Sequence, residues 1–83
     1  MKHGGGSKPG ERAETRRVRV EREMNDHRAM TVRLVDSGEC RTLVGYGSPG
    51  VRRALERTAA GETVTLTLAP TPGRGNTWLA LDC

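Results

Sequence analysis

The sequence predicts a mainly β domain with one helix, a five-stranded small barrel with element order β-β-β-α-β-β. Three observations carry this prediction. Apolar residues alternate with polar ones at Val18/Val20, Met30/Val32/Leu34 and Val64/Leu66/Leu68, the period of strands with one buried and one wet face. A single Ser48-Pro49 start opens one helical stretch, with an N-cap side chain followed by a residue whose missing N–H costs nothing at the first helical position. Clusters of Asn, Asp, Gly and Pro punctuate these runs at short intervals, as turns require.

Residues 1–14 read as a tail or an appended linker. They hold four Gly, a Pro and no Val, Leu or Ile, too little apolar surface to offset the entropy of ordering. The single domain is expected over 15–83. Its first strand spans about Arg16 to Met24, with Val18 and Val20 against Arg17, Arg19 and Glu21, and ends at the turn Met24-Asn25-Asp26-His27. The second, about Ala29 to Val35, sets Met30, Val32 and Leu34 opposite Thr31 and Arg33, and the turn Asp36-Ser37-Gly38-Glu39 follows. The third, Cys40 to Tyr46, is less cleanly alternating because Leu43 and Val44 are adjacent. In the helix, Val51, Ala54, Leu55 and Thr58 share one face and Arg52, Arg53, Glu56 and Arg57 the other, and Gly61 is placed to end it in a left-handed conformation. Glu62 to Leu68 gives the fourth strand, Pro70 to Gly75 a loop, and Asn76 to Leu81 the fifth strand.

This order resembles an OB-fold, a small five-stranded barrel, over residues 15–83. An SH3-like barrel and an open antiparallel sheet packed on the helix are the alternatives. The segments Met24-Asn25-Asp26-His27, Gly45-Tyr46-Gly47-Ser48-Pro49 and Gly73-Arg74-Gly75-Asn76-Thr77-Trp78 look like those of small uncharacterised proteins of halophilic archaea. That family has no assigned activity, so the resemblance implies no site. The chain departs from the acidic balance expected of proteins soluble in high salt.

Size and charge narrow the function classes. The 83 residues are 34% hydrophobic and 29% charged, with one Trp, one Tyr and no Phe. A chain this short buries only roughly 60% of its unfolded surface, so self-association or a protein partner is a natural source of further burial. No apolar run reaches the roughly 18 residues of a membrane-spanning helix, and the first residues carry no apolar stretch of a secretory signal. Cys40 and Cys83 are too few and too ill-spaced for a disulfide framework, which points to a reduced, cytoplasmic setting. Of the fourteen basic residues twelve are Arg, and the net charge is +4, with most of that excess inside 15–83.

The motifs that carry chemistry elsewhere find weak context here. Gly45-Tyr46-Gly47-Ser48-Pro49-Gly50 spells G-x-G-x-x-G, but no second βαβ unit follows to complete a dinucleotide fold. The plainer reading is a glycine turn feeding a helix cap, whose N-terminus holds an anion weakly beside Arg52 and Arg53. His3 stands third from the amino terminus, an arrangement that chelates Cu(II) or Ni(II), but a polar tail explains it more simply. His27, Cys40 and Cys83 lack ligand partners at metal-binding spacings, and a Cys40–His27 pair would lack an orienting third group. Neither a cofactor, a metal nor an enzymatic activity is expected.

The arginines are the most suggestive feature. Arg17 and Arg19 on the first strand and Arg33 on the second share a wet face if the strands pair, and the guanidinium fork suits phosphate oxygens. In an OB-fold, the sheet face and the loops joining strands 1–2 and 4–5 bind oligonucleotides. Arg28 lies in the first of these loops; Arg74 and Asn76 lie in the second. Trp78 and Tyr46 are the available stacking side chains. The expectation is a non-enzymatic module for single-stranded nucleic acid or structured RNA, through Arg17, Arg19, Arg28, Arg33, Arg74, Asn76 and Trp78. The alternative is a protein-interaction adaptor or homo-oligomer subunit, suggested by the apolar last strand Trp78-Leu79-Ala80-Leu81. Interspersed Glu21, Glu23, Asp36 and Glu39 favour an ordinary mixed, solvated surface instead of a site.

Overall fold

A computed structural model describes residues 13–72 and 75–83. The elements are β1 (Glu14–Arg22), β2 (Met30–Leu34), β3 (Cys40–Tyr46), α1 (Pro49–Glu56), β4 (Thr63–Pro70) and β5 (Thr77–Asp82). They close into a barrel in the spatial order β1-β2-β3-β5-β4, so the sheet has no open edge and the OB-like order holds. β1 begins at Glu14, inside the segment read as tail, because Glu14 to Arg19 pair with Leu68 to Thr63 of β4. Four of the strand pairs are antiparallel, and β3–β5 is parallel.

The inner face is the alternating set. Val18, Val20, Met30, Val32, Leu34, Leu43, Leu66, Leu68 and Ala80 are buried, and Val51 and Leu55 of α1 join them in one cluster. Burying a side chain of the Val or Leu class contributes about 1.5–3 kcal/mol, so this one cluster is the main source of cohesion. Leu43 points in and Val44 out, which resolves the irregular third strand.

Ser48 caps α1 in an extended conformation, and its Oγ accepts from the Val51 N–H at 3.2 Å. The helix ends earlier than expected and without Gly61. Arg57 N–H donates to the Ala54 carbonyl and Thr58 N–H to the Leu55 carbonyl, a tightened last turn, while the Thr58 hydroxyl donates to the Ala54 carbonyl at 2.9 Å. Gly61 does adopt a positive φ, of 95°, but it serves the sheet. Its N–H reaches the Val20 carbonyl at 2.8 Å, and Val20 N–H reaches the Glu62 carbonyl at 2.9 Å, continuing the β1–β4 ladder by one rung.

The parallel β3–β5 contact explains the glycine-rich segment. Gly47 N–H donates to the Ala80 carbonyl at 2.8 Å, and a Cβ on Gly47 would stand 2.7 Å from the Leu81 carbonyl oxygen. Backbone approach at that distance admits no side chain. Gly47 therefore serves strand packing as well as the turn into the helix cap that the sequence suggested.

Candidate functional site

The loop between β1 and β2, residues 23–29, is built around Asn25. Its Oδ1 accepts from the N–H groups of His27 (2.8 Å) and Ala29 (3.0 Å). Its own N–H donates to the Ala29 carbonyl, and its carbonyl accepts from Arg28 N–H, both at 2.9 Å. An Asx side chain that takes over backbone donors in this way fixes a turn. Arg28 is the one non-glycine residue with positive φ among the described residues, at 61°. Such backbone costs of order 1 kcal/mol or more and persists only where its surroundings hold it. Here the Tyr46 hydroxyl of β3 donates to the Arg28 carbonyl at 2.7 Å. Burial, with a smaller contribution from the charge of Glu56, pushes the Tyr46 hydroxyl up to about 12, so it remains a donor throughout the physiological range.

This pinned loop forms one wall of a groove of about 460 Å³. Val44 to Ser48 make its floor, and Pro49 and Arg52 bring in the start of α1. Among the described residues, His27, Arg28 and Arg52 are the charged or titratable side chains along it besides Tyr46, and no acidic residue lines it. Among the described residues neither Arg28 nor Arg52 makes an ion pair. The other flank of the loop borders a second groove, of about 610 Å³, where Arg22 and Glu23 meet Asn25, Thr31 and Thr42. Glu23 accepts there from Ala60 N–H at 3.1 Å.

The predicted sheet-face arginines do come together. Arg19 and Arg33 are register partners across β1–β2, and Arg17 lies on the same outer face two residues along. Their charge is partly cancelled, however. Glu21 receives Arg19 at 3.2 Å and Arg33 at 3.5 Å, and Arg33 also donates to the Gly38 carbonyl at 2.7 Å. Arg16 is held between Glu14 (2.7 Å) and Asp36 (2.6 Å). The hydrogen bond from Arg16 is the chief reason that the Asp36 carboxyl sits below its ordinary value.

The third predicted group lies elsewhere. Asn76 bonds Cys40, the first residue of β3, by Nδ2 to the carbonyl at 2.6 Å, whereas Arg28 is bonded to Tyr46, the last. Asn76 and Arg28 are therefore tied to opposite ends of β3. Asn76 Oδ1 accepts from the Trp78 indole N–H at 2.8 Å. Trp78 packs against the core cluster, and the Arg41 guanidinium lies 4.3 Å from the ring centroid, a cation–π contact. Arg41 is paired with Glu39 at 2.9 Å and its side chain is 16% exposed. Arg74, like His3, lies outside the described residues. Arg41 went unnoticed in the sequence reading, although its i, i+2 relation to Leu43 marks it as inward-facing.

Among the described residues, Cys40 and His27 do not come together. Cys40 is a register partner of Arg33 near the end of β2, whereas His27 precedes that strand's start, so the two are not neighbours. Among the described residues no three His, Cys, Asp or Glu cluster closely enough to hold a metal ion, and no helix is long and apolar enough to cross a membrane. No curated protein and no solved structure matches the chain significantly. Residues 6–83 match the model of a family of unknown function, DUF7999, and the chain belongs to that family.

Proposed function

We propose that this barrel is a non-enzymatic nucleic-acid-binding module whose contact surface is the groove between the β1–β2 loop and the start of α1. One observation carries the reading: His27, Arg28 and Arg52 converge on a single groove without an acidic residue in its lining. Guanidinium groups with no ion-pair partner among the described residues suit bidentate contact with phosphate oxygens, and the positive end of a capped helix adds to the same field. The Asn25 turn and the Tyr46 bond fix the Arg28 backbone at the groove, which reduces the ordering entropy of binding to that of its side chain.

The test is fluorescence anisotropy with labelled mixed-sequence oligonucleotides at low salt. Affinity is expected to fall linearly with salt on a double-logarithmic plot, as counterion release requires. Absence of binding at low salt would refute the reading. A second reading, a small adaptor or homo-oligomer subunit, has support in the exposed Val44 and Leu81, which lie on the neighbouring strands β3 and β5. Light scattering at micromolar concentration tests it, and a strict monomer counts against self-assembly.

A further inference from the structure

Ligand class is written in what the aromatic side chains are already doing. OB-type barrels that hold single strands stack successive bases on exposed aromatic rings and follow the backbone with a basic groove. The chain has one Trp, one Tyr and no Phe. Trp78 is packed on the core, its indole N–H is bonded to Asn76 and its ring lies under Arg41. Tyr46 also packs against the core, and its hydroxyl holds the Arg28 carbonyl. Both rings are therefore engaged in the fold, and the imidazole of His27 alone does not make a run of stacking platforms.

The basic groups point to phosphate. Arg28 and Arg52 border the groove on one flank of the β1–β2 loop, and Arg22 borders the groove on the other, where Thr31 and Thr42 also line it and the Glu23 carboxylate is turned to the Ala60 N–H. A groove whose aromatic surface is limited to the half-buried Tyr46 ring and one imidazole, with two arginines beside them, gains most from the ligand of highest phosphate density. A duplex carries one charge per about 1.7 Å of axis, against about 3.4 Å for each strand.

We infer that the groove takes double-helical nucleic acid, held by the phosphates on either side of the β1–β2 loop and read without unstacking its bases. This rests on the nucleic-acid reading above and narrows the single-stranded nucleic acid or structured RNA expected from the sequence to a double helix. DNA duplexes and RNA duplexes present the same phosphate chemistry, and both serve as probes.

The experiment uses the full chain at low salt with three labelled probes of equal length: a poly-dT single strand, a mixed-sequence DNA duplex and the matching RNA duplex. Anisotropy gives affinity, and Trp78 emission is followed in parallel with unlabelled probes. At least one duplex is expected to bind about tenfold more tightly than the single strand, with Trp78 emission unchanged at saturation. The two duplex arms show which backbone geometry the groove prefers, and tighter binding of either supports the inference. Tighter binding of poly-dT with quenched Trp78 emission would overturn it while leaving the nucleic-acid reading intact. Binding of none of the three would remove that reading and the inference together. The emission readout uses the unaltered protein, so it does not depend on a Trp78 variant that fails to fold.

Discussion

Two surfaces of this barrel carry the same residue type to different effect. On the outer face of β1 and β2, Arg19 and Arg33 sit side by side, yet both lie within 3.5 Å of Glu21. In the groove beside α1, Arg28 and Arg52 face each other's space with no carboxylate in the lining. Exposed ion pairs of the first kind contribute only about 0–1 kcal/mol to stability, but they leave little field for an approaching phosphate. Of the four arginines of β1, Arg16 and Arg19 are thus tied to carboxylates, whereas among the described residues no ion pair engages Arg28 or Arg52. Arginine density alone favours the sheet face; pairing favours the groove.

The comparison can be broken most forcefully at the groove. R28A/R52A is expected to weaken nucleic-acid binding by about a hundredfold at low salt, on the scale of two lost charge-assisted hydrogen bonds, and to lower the salt slope by about two. Asn25→Ala tests the scaffold behind that groove. Loss of the acceptor for two backbone N–H groups is expected to cost about 2 kcal/mol in urea unfolding and to loosen Arg28, with about tenfold weaker binding.

Tyr46→Phe removes one hydrogen bond, so a cost of about 1 kcal/mol is expected, with binding reduced severalfold. The single Tyr permits a direct titration. Its phenolate absorbance should rise near pH 12 in the folded protein and near about 10 when unfolded. Because the folded value is the higher one, the contribution to stability is whole below about pH 10 and is lost as pH rises towards 12, an alkaline loss that Tyr46→Phe should lack. The smallest effects belong to the sheet face. R17A/R19A is expected to change affinity by no more than about twofold, and Glu21→Gln, which releases Arg19 and Arg33, to raise it by about twofold with stability altered by less than about 0.5 kcal/mol.

The architecture was legible in the chain because alternation survives translation into space. Val18, Met30, Leu66 and their partners are apolar at period two and buried at period two, and Ser48-Pro49 opens the helix where the cap chemistry demands. What depends on register was hidden. Glu21 meets Arg33 only because Arg19 and Arg33 are paired across strands, and no local rule discloses that alignment. The role of Gly47 likewise follows from a parallel neighbour more than thirty positions away in the chain. Trp78 as a stacking platform and Asn76 as a ligand contact were reasonable from residue type, but the Arg41 guanidinium and the Cys40 carbonyl engage them within the fold. The positive φ of Arg28 had no signal of its own; Asn25 three residues earlier was the nearest trace.

One measurement separates the two surfaces in a single titration. Backbone amide spectra of the isotopically labelled protein, followed as a mixed-sequence duplex is added, report which residues sense the ligand. The account predicts that the amides of His27, Arg28, Gly47, Ser48 and Arg52 shift first and most, while those of Arg17, Arg19 and Thr65 move little. Shifts concentrated at Arg17, Arg19, Arg33 and Thr65, with the groove unchanged, would contradict it.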